Sequence, residues 1–291
     1  MSEGLKILHF GDVHLPLPAG ATHTAEMIHL KRIPAVMKFV AMRGAKYREG
    51  VEKLNALGEF LRQHPVDWIL YDGDSVNFGL RHELISAAPR VSSMLSMARK
   101  GAMAVPGNHD FYTPTSVKDF ARWFNFACES DVPEAATAPG GFPRVRFLSD
   151  DVVCISIGSA APHLAFWDSS GRVPAAELES LKRLLDMPEI GGKAYVMILS
   201  HYPLDESGFF HGLRNANEVA AVLAGRSNIH IVHGHNHECY TRFLPGTSIP
   251  LHCAGSLSKK GKESFLLYEP FGGSLNPRRG RWERAAWRLE E

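Results

Sequence analysis

Four cysteines in 291 residues are too few and too scattered to organise this chain. Cys128, Cys154, Cys239 and Cys253 form no Cys-x-x-Cys pair, which argues against a zinc-ribbon framework and a disulfide-stapled scaffold. They read as reduced, mostly buried thiols. Net charge is nearly absent as well. The 32 Lys and Arg balance 31 Asp and Glu, leaving a formal +1 and no global pull toward nucleic acid or membrane. No apolar run reaches the length of a membrane span. Met1-Ser2-Glu3-Gly4 runs into a strand-like segment without the charged start and apolar stretch of a signal peptide, so the expected compartment is the cytoplasm. Internal repeats, low-complexity tracts and a clear linker are also missing, and one domain over residues 1–291 is expected.

What is there is an ordinary globular composition, 45% hydrophobic and 22% charged, on a chain long enough to bury a large core unaided. Short β-type runs at 5–10, 68–71 and 102–105 alternate with helical periodicity at 50–63 and 81–99, which argues for parallel βα units and an α/β sheet. A hairpin at 145–148 and 152–157, a helix at 175–185, a strand at 194–199, a helix at 217–224 and a strand at 229–232 follow. The segments 240–243, 249–253, 264–268 and 282–289 alternate as antiparallel strands.

Polar clusters follow five of these strands. They are Asp12-x-His14, Gly73-Asp74, Gly107-Asn108-His109-Asp110, His201 and Gly234-His235-x-His237. In open α/β sheets ligands collect beyond the carboxyl ends of the strands, which is where these groups fall. Carboxylate, imidazole and amide oxygen together suit Mn²⁺, Fe²⁺ or Zn²⁺ better than Ca²⁺ or a thiolate-seeking ion.

In order and residue type the five clusters resemble the motifs of the calcineurin-like metallophosphoesterase superfamily, over about residues 5–268. The closest pattern is its bacterial phosphodiesterase-like branch, of the cyclic-nucleotide phosphodiesterase type. The resemblance implies a four-layer α/β/β/α sandwich of two mixed sheets. It also implies two divalent metal ions: Asp12, His14 and His237 on the first, Asn108, His201 and His235 on the second, and Asp74 bridging. The implied reaction is hydrolysis of a small phosphodiester by a hydroxide held between the ions, with His109 as a non-ligand that assists the leaving group. Protein phosphatases of the superfamily carry Asp three residues after the bridging Asp, paired with the catalytic His. Here that residue is Asn77, which argues against a phosphoprotein substrate.

Supporting roles are expected for Asp110 and His233 near the ligands, and an interior role for His9. Residues 22–48 read as a basic helical insert: Lys31, Arg32, Lys38, Arg43, Lys46 and Arg48 occur with no acidic residue between Met27 and Arg48. Arg32, Arg43 and Arg48 are candidate substrate-phosphate contacts. The insert can act as a plain solvated face, as a lid that steers anions, or as a peripheral contact with the inner face of a membrane. No extended basic and aromatic nucleic-acid surface is evident. Two other readings stand beside the phosphodiesterase. One is a pyrophosphohydrolase of a nucleotide-linked lipid such as UDP-2,3-diacylglucosamine, which the insert and the Phe166-Trp167 loop would suit. The other is a metal-binding scaffold without turnover.

Overall fold

Apolar runs in which every residue is buried, such as Ile7–Phe10 and Trp68–Tyr71, belong to strands covered on both faces, and that is how they are used. The computed structural model describes residues 4–16, 32–33, 44–114, 116–136, 141–165, 167–206, 208–270 and 274–290. Its elements in chain order are β1 (Ile7–Phe10), α1 (Gly50–Gln63), β2 (Trp68–Tyr71), α2 (Arg81–Leu95), β3 (Gly101–Ala104), α3 (Ser116–Phe124), β4 (Arg144–Phe147) and β5 (Val152–Ser156). Then come α4 (Ala175–Asp186), β6 (Tyr195–Leu199), α5 (Ala216–Leu223), β7 (Ile229–His233), β8 (Cys239–Phe243), β9 (Pro250–Ala254), β10 (Ser264–Tyr268), β11 (Arg278–Glu283) and β12 (Ala286–Leu289).

The strands form two six-stranded mixed sheets, ordered β12-β11-β10-β1-β2-β3 and β4-β5-β6-β7-β9-β8. Within them β1, β2 and β3 run parallel, as do β5, β6, β7 and β9. Period-2 alternation divides each strand between two cores. Leu8, Phe10, Ile69 and Tyr71 face α1, α2 and α3, whereas Ile7, Trp68 and Leu70 meet Cys154, Met197 and Val232 of the other sheet. The second sheet is covered by α4 and α5 through Leu181, Leu184, Val219 and Leu223. The expected four layers are therefore present.

The helix over Gly50–Gln63 follows from Leu54, Leu57 and Leu61, spaced to line one face. Helix α2 stops at Leu95 rather than running to 99, and continues through Pro89. Helix α3 was not among the helices expected, although Asp119 in its first turn and Arg122 in its last are helix signals. Two strand readings need correcting. Residues 282–289 are not one strand: β11 and β12 form a hairpin that turns at Arg284 and Ala285, with φ of 51° and 59°. Two successive positive φ values are the geometry of a tight primed turn, but neither residue is the Gly or Asn that would announce it. Strand β9 is also not purely antiparallel, because it pairs parallel with β7 and antiparallel only with β8. Of the basic segment 22–48, only Arg32, Ile33 and residues 44–48 are described, the latter including a 3₁₀ turn at Gly44–Tyr47. The helical expectation otherwise lies outside the described residues, as does Arg43.

Candidate metal centre

Because β1, β2, β3, β6 and β7 lie parallel within their sheets, the loops after them emerge at common sheet ends, and the polar clusters meet there. Asp12, His14, Asp74, His235 and His237 all have positive φ, between 41° and 69°. Such backbone costs roughly 1–2 kcal/mol per non-glycine residue and persists only where surroundings enforce it. Interloop hydrogen bonds do so: Asp12 N–H to Gly73 O, His14 N–H to Asp74 O and Leu15 N–H to Ser75 O, each 2.9 Å. The loops after β2 and β3 pack so closely that a Cβ on Gly107 would lie 2.0 Å from Asp74 Oδ1. Glycine at 107 is a requirement of that approach.

Two triads result. In the first, His237 Nε2 is 3.0 Å and His14 Nε2 3.5 Å from Asp12 Oδ1, and the two imidazole nitrogens are 3.2 Å apart. In the second, Asn108 Oδ1 is 3.1 Å from both His201 Nε2 and His235 Nδ1, which are 3.3 Å from each other. Asp74 Oδ2 stands between the triads, 3.6 Å from His14 Nε2 and 3.6 Å from His201 Nε2.

The sequence profile of the calcineurin-like phosphoesterase family matches residues 5–239. The chain belongs to that family. Comparison with curated proteins finds no match. Among solved structures, the chain is similar to a dimetal phosphatase from Danio rerio, at 13% identity and a TM-score of 0.64, with 95% of this chain and 94% of that one covered. It is also similar to the purple acid phosphatase PPD1 from yellow lupin (Lupinus luteus) seeds, at 11% identity and a TM-score of 0.57, covering 99% of this chain and 52% of that one. At these identities the likeness is one of fold. As a calcineurin-like phosphoesterase, the protein is a dinuclear metal-dependent hydrolase of phosphoesters. Among the described residues no helix is long and apolar enough to cross a membrane.

The phosphoesterase's side chains fit a pair of divalent cations. His14 Nδ1, His201 Nδ1 and His235 Nε2 lie 3.0, 2.7 and 2.9 Å from the carbonyls of Val76, Asp72 and His211. A carbonyl only accepts, so each of those nitrogens carries the proton and the other ring nitrogen turns a bare lone pair inward. Asp12 Oδ1 is buried with the two imidazole nitrogens close to it but none in good hydrogen-bond geometry, which fits an oxygen able to bind a cation. Burial, with Asp12 and Asp110 close by, pushes the Asp74 carboxyl well above its usual range. Burial also raises Asp72 and Asp110. For Asp12, burial works upward but is outweighed by His237 and His14, and the carboxyl ends well below its ordinary value. Burial lowers both His201 and His235, the latter, with His201 beside it, to about 3. Carboxyls crowded until they resist ionising, beside His201 and His235 kept neutral by burial, form a donor set that cations would relieve.

The supporting groups tie the loops together. Asp110 accepts from the backbone N–H of Asp74, Ser75 and Gly107 at 2.7, 2.9 and 3.0 Å. Buried His9 lies 2.9 Å from Asp72 through Nε2 and 3.3 Å from Tyr268 through Nδ1. His233 is buried between Gly234 O and the Tyr240 hydroxyl and faces neither triad's ligand atoms by any hydrogen bond. His109 sits beside the first triad, its ring edge-on to His14 at 4.9 Å, and donates its backbone N–H to Asp74 Oδ1. Its Nδ1 is 2.5 Å from the Asn77 carbonyl, which leaves Nε2 unprotonated in the neutral ring. Position 77 thus orients His109 through its backbone. The Asn77 side chain is buried and donates to Leu15 O at 2.8 Å.

Arg32 is buried and donates to Phe78 O, Gly79 O and Thr113 Oγ1, bracing the backbone next to Asn77; Arg48 is exposed. Sequence reasoning missed Tyr47 and Lys259. The Tyr47 hydroxyl is 3.5 Å and Lys259 Nζ 3.1 Å from His237 Nδ1. Neither belongs to a motif, although the lysine-rich run 259–262 after a strand was a usable signal. On the other side of the site, His211 lies on a loop joined to the loop around Ser169 by Ser169 N–H to Phe210 O. These two loops carry exposed Leu164, Trp167, Phe209 and Phe210.

Proposed function

We propose that this phosphoesterase hydrolyses a small phosphodiester of the cyclic-nucleotide type. Asp12, His14 and His237 would hold one ion, Asn108, His201 and His235 the other, and Asp74 both, with Mn²⁺, Fe²⁺ or Zn²⁺ suiting the donor set. The observation that carries the ligand assignment is Asp74 Oδ2, equidistant at 3.6 Å from the inward nitrogens of the two triads. When bound, the ions supply Lewis acidity and a water acidic enough to attack phosphorus near neutral pH. The protein's part is to hold the inward lone pairs of His14, His201 and His235 by their outer carbonyl contacts and to exclude competing protons by burial. His109, protonated on Nε2 when charged, delivers a proton to the departing alkoxide, a role worth about 10²–10⁴-fold. The backbone carbonyl on Nδ1 is neutral, so this imidazole is not held as permanently charged as a carboxylate partner would hold it.

A second reading has its own support. Leu164, Trp167, Phe209 and Phe210 are exposed on loops tied through His211 to His235, an arrangement suited to an acyl-bearing substrate such as a nucleotide-linked lipid cleaved at its diphosphate. The test is a substrate panel with Mn²⁺-loaded protein: bis-p-nitrophenyl phosphate, p-nitrophenyl phosphate, cyclic mononucleotides and UDP-linked acyl sugars, each with a chelated control. Chelator-sensitive turnover of the diesters above the monoester supports the first reading, and preference for the UDP-lipid replaces it with the second. Two bound ions with no turnover of any compound would leave a metal-binding scaffold.

A further inference from the structure

Three imidazoles of the centre are held from outside by backbone carbonyls, and those carbonyls differ in origin. Val76 O and Asp72 O, which accept from His14 and His201, lie in the loop after β2 that also carries Asp74. His211 O, which accepts from His235, comes instead from the connection between β6 and α5, well past His201. That stretch belongs to none of the five polar clusters. What holds it is a second stretch, 168–171, equally outside them.

The two stretches lie side by side. Ser169 N–H donates to Phe210 O at 2.8 Å, Gly171 N–H to Gly212 O at 3.0 Å and Arg214 N–H to Gly171 O at 3.0 Å. Gly171 and Leu213 form a parallel bridge. In an extended ladder successive carbonyls point to opposite sides. Phe210 O and Gly212 O face the 168–171 stretch, so His211 O between them turns away, toward His235 Nε2 at 2.9 Å. A Cβ on Gly171 would stand 2.3 Å from Ser159 O and 2.6 Å from the Tyr202 ring, which leaves the ladder no room to shift inward. Side chains close the same contact. Asp168 Oδ2 is 2.6 Å from Arg214 Nη2 and 3.2 Å from His163 Nδ1. Asp168 Oδ1 accepts from Ser170 N–H at 3.1 Å and from Ser170 Oγ at 2.6 Å, and Arg214 Nε donates to Phe209 O at 3.2 Å. Ser169 Oγ lies 2.8 Å from His211 Nδ1. The Tyr202 hydroxyl donates to Ser169 O, and its ring lies 4.4 Å from that of His235.

We propose that Asp168 and Arg214 are positioning residues for His235. Their ion pair fixes the 209–214 stretch, the stretch fixes His211 O, and His211 O fixes the nitrogen that His235 turns toward Asn108 and His201. The pair acts on the second ion alone, because the first triad takes its outer carbonyl, Val76 O, from a different loop.

The inference rests on the assignment of His235 to the second ion, and its test separates the two. Calorimetric titration of metal-free protein with Mn²⁺ is expected to show two binding events in the wild type. Asp168→Asn and Arg214→Met should each weaken one event about tenfold, the lower end of what loss of an outer partner costs a metal site, and leave the other within about twofold. Arg214→Lys, which keeps the charge, should recover most of that loss. At two equivalents of Mn²⁺ electron paramagnetic resonance should show a coupled pair in the wild type and a remaining isolated ion in Asp168→Asn and Arg214→Met. His235→Ala should lose the same event outright. If His235→Ala binds both ions as the wild type does, the ligand assignment falls and the inference with it. If His235→Ala loses one event while Asp168→Asn and Arg214→Met keep both, the positioning role alone is overturned. Equal weakening of both events, with a lower melting temperature in chelator, also overturns it, since plain loss of stability does that. None of these measurements uses turnover, so they hold whichever substrate the panel selects.

Discussion

Asn77→Asp separates two ways in which position 77 can act on His109. If the side chain mattered to the imidazole, a carboxylate there would raise its basicity and move the alkaline limb of the rate profile upward. In the structure the side chain points elsewhere: Nδ2 donates to Leu15 O at 2.8 Å in a buried position, while the backbone carbonyl accepts from His109 Nδ1. Aspartate at this place loses the donor and sets a carboxylate oxygen against a carbonyl oxygen. An unsatisfied buried polar group costs about 1–3 kcal/mol. The carboxyl can evade part of that cost by keeping a proton and donating it to Leu15 O, so its pKa is expected to rise. Each unit of rise is worth about 1.4 kcal/mol, and the destabilisation therefore grows with pH. At about 2–4 °C per kcal/mol, a cost of about 2 kcal/mol lowers the melting temperature by roughly 4–8 °C at pH 8, and by less at pH 5. The measurement is thermal denaturation of the metal-loaded protein at both pH values, together with kcat/KM against pH on bis-p-nitrophenyl phosphate. The expected result is a pH-dependent loss of stability with an unmoved alkaline limb. A melting temperature equal to that of the wild type, with the limb displaced upward by about one pH unit or more, would refute the backbone assignment.

His109→Gln is expected to keep two equivalents of metal by elemental analysis while losing about 10²–10⁴-fold in kcat, and a variant as fast as wild type removes its acid role. Asp74→Asn relieves the crowding of buried carboxylates, so the chelated variant should melt at or above chelated wild type. Metal saturated to about a hundredfold over its Kd adds about 2.7 kcal/mol to wild type, and this gain should vanish in the variant, as scanning calorimetry with and without Mn²⁺ would show. On β7 and β9, burial holds His230 and His233 neutral with values of about 4, and His252, close to both, at about 3. Below the ordinary histidine value of about 6.5 the unfolded chain gains protons that these rings refuse, so stability contributed by neutral His252 is lost as pH falls. His252→Gln should therefore lose about 2 kcal/mol less than wild type between pH 7 and pH 5, measured by urea denaturation in chelator; an equal loss would show that His252 titrates normally.

The helix Gly50–Gln63 was legible in the spacing of Leu54, Leu57 and Leu61, because a buried helical face writes its period into the chain. The turn at Arg284-Ala285 was not, since neither residue is the Gly or Asn that usually marks such a turn. Helix α3 was missed although Asp119 in its first turn, Arg122 in its last and the four-residue spacing of Phe120 and Phe124 are helix signals; nine residues are too few for the period to stand out. The residues proposed as metal ligands stood out for a related reason. Short-range clusters such as Gly107-Asn108-His109-Asp110 follow strand after strand, and they match the motifs of a known family. What no local pattern contains is the meeting of loops far apart in sequence. Lys259 reaches His237 because the loop after β9 is bonded to the loop after β1, and the Asn77 carbonyl, rather than its amide, holds His109. The chain by itself determined the residue types at the strand ends and the parallel βα units of an α/β sheet, while the four layers were implied by the family resemblance. Tertiary structure alone decided which nitrogen of each imidazole faces inward, and which cations stand beside the centre. Those facts depend on hydrogen bonds and charge between segments as far apart as Asp12 and Ser256, 244 residues on, and a linear pattern does not record them.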